Sequence, residues 1–374
     1  MESLSTLIVS SDTYATGCVR NESECVGVRR TRDIPLPPWA RPTPVDRFPG
    51  SLERVSGFLQ EEYKRAFRHE HWHIGVVDAP IETFLEPDAQ PEVRWLPLPD
   101  RGKFYADPFG ISRGGRTEIV FEEYDFHSDM GVISWVRGDG DGHFTRPRVA
   151  ISLPFHASYP FLIERSGEVF CVPETAQSHE ISLYRAVAFP DQWARVGTLV
   201  RGVAGVDSTV FERDGMFWLL CTDQDDGPFS KLRIWYAPDL LGPWTAHPAN
   251  PVKDDWSSAR NAGTPFLVDG ELYRPSQDCS HTYGGAVVLN RVVALSTKEY
   301  REEPVARVGP FRDGRFRHGV HTLSSIGNRT LIDAKRFGFN GTAMARSVRA
   351  SIAGVWGRVL RRHATARTEN APPN

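Results

Sequence analysis

The chain has 374 residues, of which 40% are hydrophobic and 24% charged, a balance typical of a globular protein with a sizeable core. Its formal net charge of -3 gives no basic footprint for nucleic acid, so we expect no nucleic-acid partner. No stretch approaches the roughly eighteen apolar residues of a membrane span, and the N-terminus lacks a secretory signal pattern. We therefore expect a cytoplasmic protein.

The N-terminal region divides into three parts. Residues 1–45 mix Ser, Thr, Arg and Pro without a period and end in a proline-rich run, which predicts a disordered or extended leader. Residues 51–68 place apolar side chains at helical spacing, which predicts a short helix. Two strand patterns follow, WHIGVVDAP and VRWLPLP, and we expect them to pair with the last strands of the chain and close a ring.

A pattern of about fifty residues then occurs five times along the chain. Each copy has a small or polar residue pair, an apolar strand, a turn that usually contains Gly, and a second strand that ends in polar residues. The copies begin near residues 107, 159, 207, 261 and 321. This repeat predicts an all-β fold, a five-bladed β-propeller over residues 46–340.

Further strand patterns lie after the paired strands of four copies: GVISWVR, ISLYRAV, KLRIWYAP and AVVLNRVVAL. Their alternation of apolar and polar residues suits the outer strands of a blade. Cys171, Cys221 and Cys279 fall in equivalent second strands, so we predict small buried core residues there rather than halves of disulfides.

The C-terminal segment, residues 341–374, begins with a basic amphipathic pattern. Residues 342–363 place Val348, Ile352 and Val355 on one helical face, with arginines on much of the remaining surface. Two interpretations stay open for this predicted helix. Either the helix lies on a membrane surface, which would make the protein peripheral to the membrane, or it packs on its own domain or on a partner.

The repeat also predicts where a site lies. In a propeller blade the innermost strand begins where the second strand ends, so polar residues at those two places converge on one mouth. Carboxylates that converge in this way raise one another's pKa. Asp107 and Asp207 begin the first and third copies, and we interpret them as the centre of a site suited to glycosidic chemistry.

Other polar residues at the same mouth are assigned to substrate binding: Glu123, Tyr159, Asp223, Arg260, Arg274, Asp278 and His321. Arg260 and Arg274 offer guanidinium forks for a carboxylate or phosphate, but neutralising the neighbouring acids is an equal alternative. Two interpretations stay open for His321. It binds a ligand or transfers protons, or it forms hydrogen bonds between blades.

Two sequence resemblances follow from these motifs. Tyr-Ala-Asp-Pro-Phe at 105–109 and Val-Asp-Ser-Thr-Val-Phe at 206–211 resemble the inner strands of five-bladed propeller glycosidases such as arabinanases, β-xylosidases and levansucrases. A longer similarity includes SYPFLIERSGEVFCVPE, DSTVFERDGMFWLLCTD and ELYRPSQDCSHTYGGAVVLN. Over about residues 70 to 338 the chain resembles the propeller domain at the N-terminal side of plant glucosamine inositolphosphorylceramide transferases and its bacterial relatives.

The glycosidase resemblance implies that Asp107 is the general base and Asp207 a modulator of pKa. It also implies a glutamate as general acid in a following blade, where this chain has Arg260. Glu174 is the best substitute for this general acid, and Glu122 or Glu123 is the next choice. We therefore expect a carbohydrate-active, glycoside-hydrolase-like protein acting on a glycan or glycolipid. The alternative is a non-catalytic glycan-binding or scaffolding propeller that assists a separate glycosyltransferase, so whether the chain is an enzyme stays open.

No metal or cofactor is predicted. His69, His71 and His73 alternate at strand spacing, as metal-binding pairs do, but lack a carboxylate or cysteine partner in sequence. We interpret them as surface histidines on an entry strand. The carboxylates of the mouth supply oxygen ligands for a hard cation, although no loop spacing specifies one.

Overall fold

The computed structural model describes residues 69–139, 142–312, 314–339, 341–342 and 345. Within these residues the chain forms five antiparallel sheets of four or five strands each. The predicted all-β, five-bladed propeller is confirmed. The predicted leader and entry helix lie outside the described residues, as does almost all of the predicted C-terminal helix. Within the described part of the chain, no helix has the length and apolar character needed to cross a membrane.

The strands are numbered in chain order, and each blade is built from its inner strand outwards. The first two are β1 (His69–Val77) and β2 (Val93–Trp95). Blade one contains β3 (Lys103–Arg113), β4 (Arg116–Asp125), β5 (Met130–Gly138) and β6 (Arg148–Ile151). Blade two contains β7 (Ser158–Arg165), β8 (Glu168–Glu174), β9 (Glu180–Ala188) and β10 (Gln192–Arg201).

The later blades follow the same plan. Blade three contains β11 (Gly205–Arg213), β12 (Met216–Asp223), β13 (Lys231–Ala237), β14 (Thr245–Ala246) and β15 (Lys253–Asp254). Blade four contains β16 (Phe266–Val268), β17 (Glu271–Asp278), β18 (Ala286–Leu295) and β19 (Tyr300–Val308). Blade five begins with β20 (Val320–Ile326) and β21 (Arg329–Gly338). Short 3-10 helices lie at Ile81–Leu85 and Ala176–Ser178.

The N-terminal strands complete blade five, as predicted. β1 pairs with β21 along its whole length, from His69 opposite Gly338 to Val77 opposite Thr330, and β2 pairs with β1. Blade five thus joins the two ends of the described chain. This pairing ties the N-terminal strands to the last blade and closes the ring.

The same closure corrects the interpretation of the alternating histidines. His73 is fully buried, because β1 lies between two strands and packs against aromatic side chains. Its ring centroid lies 5.0 Å from that of Phe316 and 6.0 Å from that of Tyr105. Burial, with Arg336 and His69 nearby, lowers the pKa of His71 to about 4. Neither side chain is an exposed surface histidine.

Cys171, Cys221 and Cys279 are buried and free, as predicted. Cys171 lies in β8 and Cys221 in β12, whereas Cys279 follows directly after the end of β17. Cys171 and Cys221 are fully covered, and Cys279 is 7% exposed. Burial raises the pKa of all three thiols, which keeps them protonated and unreactive. They serve as small apolar residues of the core.

Blade four departs from the repeat at its inner strand. Only a single bridge, Asn261 opposite Ser276, precedes the three-residue β16. Gly263 has φ +118°, and a Cβ atom there would lie 1.9 Å from the carbonyl oxygen of Leu323 in blade five. A glycine is therefore required where the two inner strands approach each other, and this approach replaces the pairing expected from the repeat.

Candidate functional site at the propeller axis

The start of the inner strand is distorted in the same way in several blades. Register shifts occur in the inner pairs of blades one, two, three and five, close to Asp107, Tyr159, Asp207 and His321. Asp107 has φ 52°, Tyr159 φ 41° and Asp207 φ 48°. A β-bulge re-aims the side chain that it carries, and aspartate tolerates this left-handed backbone better than most residues. The bulges direct the two aspartates towards the axis.

The second strands bring further polar groups to the same end of the propeller. Glu122 pairs with Ala106 beside the bulge of blade one, and Glu174 pairs with Ser158 in blade two. We use the term axial cluster for eight residues that are each at most 9% exposed: Asp107, Glu122, Glu174, Asp207, Arg260, Gln277, His321 and Asp333. Five of them carry carboxyl groups.

Asp207 is held by residues of blades two and four. Its Oδ2 accepts hydrogen bonds from Nε of Arg260 at 2.5 Å and from the side-chain amide of Gln277 at 2.8 Å. Its backbone N–H donates to Oε2 of Glu174 at 3.0 Å, so Glu174 fixes the bulge rather than standing free. The guanidinium of Arg260 also lies over the rings of Tyr283 and Phe229.

Asp107 is held by residues of blades two and five. Its carboxylate accepts hydrogen bonds from the backbone N–H of Tyr159 at 3.3 Å and from the hydroxyl of Thr322 at 3.0 Å. Nε2 of His321 lies 3.6 Å from Oδ1 of Asp107. The other ring nitrogen of His321 lies 2.7 Å from Oδ1 of Asp333, whose Oδ2 accepts the backbone N–H of Asp107. Asp333 thus positions both the histidine and the first bulge.

The pKa values of both aspartates are raised to near neutral pH. Burial raises the pKa of Asp107 to about 7; His321 opposes the rise, whereas Asp207 and Asp333 add to it. Burial likewise raises the pKa of Asp207 to about 7, against the lowering effect of Arg260. Burial disfavours a charged His321, but Asp333 and Asp107 outweigh it and raise the pKa of His321.

These shifts predict how stability depends on pH. Between pH 4 and 7 the folded protein holds protons on Asp107 and Asp207 that the unfolded chain has released. The free energy of unfolding should therefore fall as pH rises, by about 1.4 kcal/mol per pH unit for each group. We expect Asp107→Asn to remove about one such contribution. Urea unfolding at several pH values between 4.5 and 6.5 measures the slope, and a wild-type slope in the variant would contradict the assignment.

Glu122 is a carboxyl group of the cluster to which no described residue donates a hydrogen bond. Its side chain is 7% exposed, and Nε2 of His156 lies 3.5 Å from its Oε1. Burial, together with Asp107 and Glu174, raises the pKa of Glu122 well above its usual value. Burial lowers the pKa of His156. Burial thus favours the protonated form of Glu122 and the neutral form of the histidine that it faces.

Five of the predicted site residues lie in the axial cluster: Asp107, Glu174, Asp207, Arg260 and His321. Glu174 contacts Asp207 by accepting its backbone N–H. Tyr159 is brought to the axis but fully buried. Its hydroxyl accepts the backbone N–H of Gly263 at 2.7 Å and shares a hydrogen bond with Thr209 at 3.0 Å. The ring packs edge-on against Phe109. Tyr159 links blade two to blades three and four, and its hydroxyl is committed to these contacts.

Arg274 is not brought to the cluster. All five of its N–H donors are occupied, by the carboxylate of Glu302, the carbonyl oxygens of Ser258 and Ala259, and Oδ1 of Asn261. No donor remains for a ligand. Of the two alternatives left open for Arg274, neutralising an acid describes its contacts; sequence position could not reveal that this acid, Glu302, lies in the outer strand β19.

The other predicted binding residues also have their partners outside the cluster. Glu123 follows Glu122 in β4 and therefore points to the opposite face, where Lys103 and Ser134 donate to it at 2.6 and 2.7 Å. Asp278 is paired with Arg307 at 3.1 Å. Asp223 accepts the backbone N–H of Asp225 at 3.1 Å and caps a turn.

Sequence reasoning missed Asp333. It lies in the middle of the apolar strand β21, within Leu-Ile-Asp-Ala, and is fully buried. A charged residue inside an apolar strand is the signal that could have indicated it, since such residues are rarely buried without a partner. Trp72 was missed as well; its ring stacks on His321 with a centroid distance of 3.7 Å.

Three buried side chains have the chemistry of metal ligands. One ligand atom from each of Asp107, His321 and Asp333 lies within 4.8 Å of the others. The donor set of two carboxylates and an imidazole suits several divalent cations. Nδ1 of His321 lies 2.7 Å from Oδ1 of Asp333, and Oδ1 of Asp107 accepts the hydroxyl of Thr322. The expectation of no metal stays a prediction.

Comparison with known proteins identifies related sequences. Residues 98–315 match the family model described as "Glucosamine inositolphosphorylceramide transferase 1, N-terminal". The rice protein named glucosamine inositolphosphorylceramide transferase 1 is 36% identical over 208 residues, which are 54% of this chain and 28% of that protein. The Arabidopsis thaliana protein of the same name is 35% identical over 229 residues, 60% of this chain and 29% of that protein. The chain thus spans less than a third of the length of these relatives.

Solved structures with similar backbones include two glycoside hydrolases. A family 117 enzyme from Zobellia galactanivorans is 13% identical, with a TM-score of 0.46. The superposition covers 72% of this chain and 91% of that one. A family 62 α-L-arabinofuranosidase from Coprinopsis cinerea is 12% identical, with a TM-score of 0.45 and coverage of 72% and 97%.

Proposed function

Because the chain belongs to the family of the N-terminal region of glucosamine inositolphosphorylceramide transferase 1, we propose that it is a carbohydrate-active propeller protein. Its axial cluster would bind a glycan or glycolipid and hydrolyse a glycosidic bond. The relatives are named for an amino sugar and a ceramide lipid, which is consistent with such a ligand. The observation that carries the proposal is the set of buried carboxyl groups around one axis with raised pKa values.

The proposed mechanism divides the work between a base and an acid. With a pKa of about 7, Asp107 is partly deprotonated at neutral pH and can accept a proton from an attacking water molecule. Asp207, anchored by Arg260, tunes that pKa through its charge. The pKa of His321 is raised, which favours its positively charged form beside Asp107.

We assign the proton donor to Glu122 rather than to Glu174. Glu174 accepts the amide N–H of Asp207 and is needed in that orientation. Among the described residues none donates a hydrogen bond to Glu122, and burial raises its pKa, which favours the protonated form that a proton donor needs. Pairing a protonated carboxyl group with a second carboxyl group that can ionise is the arrangement that glycosidic hydrolysis requires.

The second candidate function is non-catalytic glycan binding, in which the propeller assists a separate glycosyltransferase. It is favoured by one observation: blade four presents Arg260 at the mouth, and this arginine already neutralises Asp207. In that case the cluster orients a ligand through hydrogen bonds and no bond is cleaved.

A paired screen separates the two candidates. The purified protein is incubated with a panel of glycans and glycolipids while released sugar is measured, and binding of the same compounds is measured by saturation-transfer NMR. Turnover that disappears in Asp107→Asn/Asp207→Asn supports hydrolysis. Binding without turnover supports the second candidate. If the wild type neither binds nor cleaves any member of the panel, the carbohydrate proposal fails.

The assignment of Glu122 has its own test. We expect Glu122→Gln to lower turnover of a natural glycoside by about 100-fold, because the leaving oxygen is no longer protonated. Dinitrophenyl glycosides need no protonation of their leaving group, so their turnover should change little. Glu174→Gln serves as the comparison. Equal losses on both kinds of substrate in Glu122→Gln would contradict a role as proton donor.

A further inference from the structure

A row of aromatic rings leads from solvent to the axial cluster. The row consists of Trp256, Phe229, Tyr283, His321 and Trp72, which come from blades three, four and five and the loops between them. Successive ring centroids lie 5.7, 6.0, 5.3 and 3.7 Å apart. The row begins at Trp256, which is 56% exposed, and ends at His321 and Trp72, which are 2% and 3% exposed.

The inner part of this aromatic row is fixed by charged residues. Nζ of the buried Lys335 donates to the side chains of Glu70 and Thr282 and to the backbone carbonyl of Tyr283. It also lies 5.2 Å from the ring centroid of Trp72. The guanidinium of Arg260 lies 5.0 Å from the ring of Tyr283 and 5.4 Å from that of Phe229. These contacts hold the inner rings in place and tie them directly to Asp207.

Trp256 differs from the rest of the row. Its backbone is anchored, since its carbonyl oxygen accepts the N–H of Cys279 at 2.9 Å. Its side chain contacts Phe229 on one side and leaves more than half of its surface in water. Among the tryptophans that the structure describes, Trp256 is the one whose side chain is exposed. An exposed indole on an anchored backbone, in contact with a row of rings that reaches the axial cluster, offers a flat apolar face on which a ligand can stack.

We propose that the aromatic row forms an outer saccharide subsite in which a sugar ring stacks on Trp256 while a linked ring is held at the axial cluster. This inference rests on the proposed function and narrows its substrate class to saccharides or glycosides with at least two rings. The apolar face of a sugar packs on the indole, and its hydroxyl groups remain in water at the open side. A single sugar held at the axial cluster does not reach the subsite.

The experiment compares short and long saccharides. Affinities are measured by calorimetry for matched pairs: glucosamine and its β-1,4-linked trimer, arabinose and arabinotriose, and xylose and xylotriose. For the pair that the wild type binds, Trp256→Ala should weaken binding of the trimer about 5- to 10-fold and leave the monosaccharide unchanged. Trp256→Phe should restore part of the loss, because it keeps an aromatic face.

Leu241→Ala is the matched control, because Leu241 is 60% exposed and belongs to an outer turn of blade three. It should leave both affinities unchanged. Equal effects of Trp256→Ala on monomer and trimer, or no effect on either, would overturn the outer subsite while leaving saccharide binding itself intact. If the wild type binds none of the six saccharides, both the subsite and the broader carbohydrate proposal lose their support.

Discussion

Replacing Asp107 by asparagine is expected to lower turnover of any glycoside that the wild type cleaves by about 100- to 10,000-fold. The amide cannot accept the proton that the mechanism assigns to this position. Asparagine is the appropriate substitution because it tolerates the φ of 52° at this residue. Its side-chain oxygen can still accept the N–H of Tyr159, while its amide NH2 can donate to the hydroxyl of Thr322, which now donates to the other oxygen of Asp107. A loss of activity would then report chemistry rather than unfolding.

A matched control tests that interpretation. Asp269 also has a positive φ, 51°, but lies exposed in the turn between β16 and β17, at the other end of the blade. Asp269→Asn should leave turnover within about two-fold of the wild type, since surface substitutions of this kind have small effects. Wild-type turnover in Asp107→Asn would remove Asp107 from the mechanism. Retained binding with lost turnover would assign it to the chemical step.

The fold was predictable because its signal is repeated. Five copies of a strand pair fix the number of blades, and the strand patterns near Trp72 and Trp95 have no partners unless they join the last copy. The repeat also placed Asp107 and Asp207 at one mouth, because equivalent positions of a blade must face the axis in the same way.

The details of the site were less predictable, since they depend on contacts between distant blades. A positive φ at a bulge leaves no clear mark in sequence, so the backbone strain at Asp107 and Asp207 was not anticipated. Tyr159 occupies the equivalent position of its repeat, but its hydroxyl accepts the backbone N–H of Gly263, which is distant in sequence. Asp333 was overlooked because its neighbours in sequence suggest an ordinary core strand.

The second large effect is on stability, at the buried pair formed by Arg274 and Glu302. Arg274→Met should lower the free energy of unfolding by about 3 to 5 kcal/mol, because removing one partner leaves a buried charge without its main counterion. Both side chains are 2% exposed, and Nη2 of Arg274 lies 2.6 Å from Oε1 of Glu302. Burial disfavours ionised Glu302, but Arg274 and Lys253 outweigh it and lower the pKa of Glu302 to about 2.

Arg291→Met is the control for the loss of an arginine from the same blade. Arg291 pairs with Glu303 at 3.2 Å, but their side chains are 42% and 49% exposed, so the cost should stay below about 1 kcal/mol. Urea unfolding of the two variants under identical conditions gives both values. If Arg274→Met costs no more than Arg291→Met, the buried pair does not hold blade four together.

A double variant separates the cost of an orphaned charge from the value of the pair itself. Arg274→Met/Glu302→Leu removes both charges, and such replacements of buried pairs are often neutral or stabilising. We therefore expect the double variant to be more stable than Arg274→Met alone, with a coupling energy on the order of 1 to 3 kcal/mol in the cycle. Recovery would be incomplete, because Arg274 also donates to the carbonyl oxygens of Ser258 and Ala259. Those two bonds join blade four to the segment that leads into Arg260, so their loss should disturb the axial cluster as well as the stability of the blade.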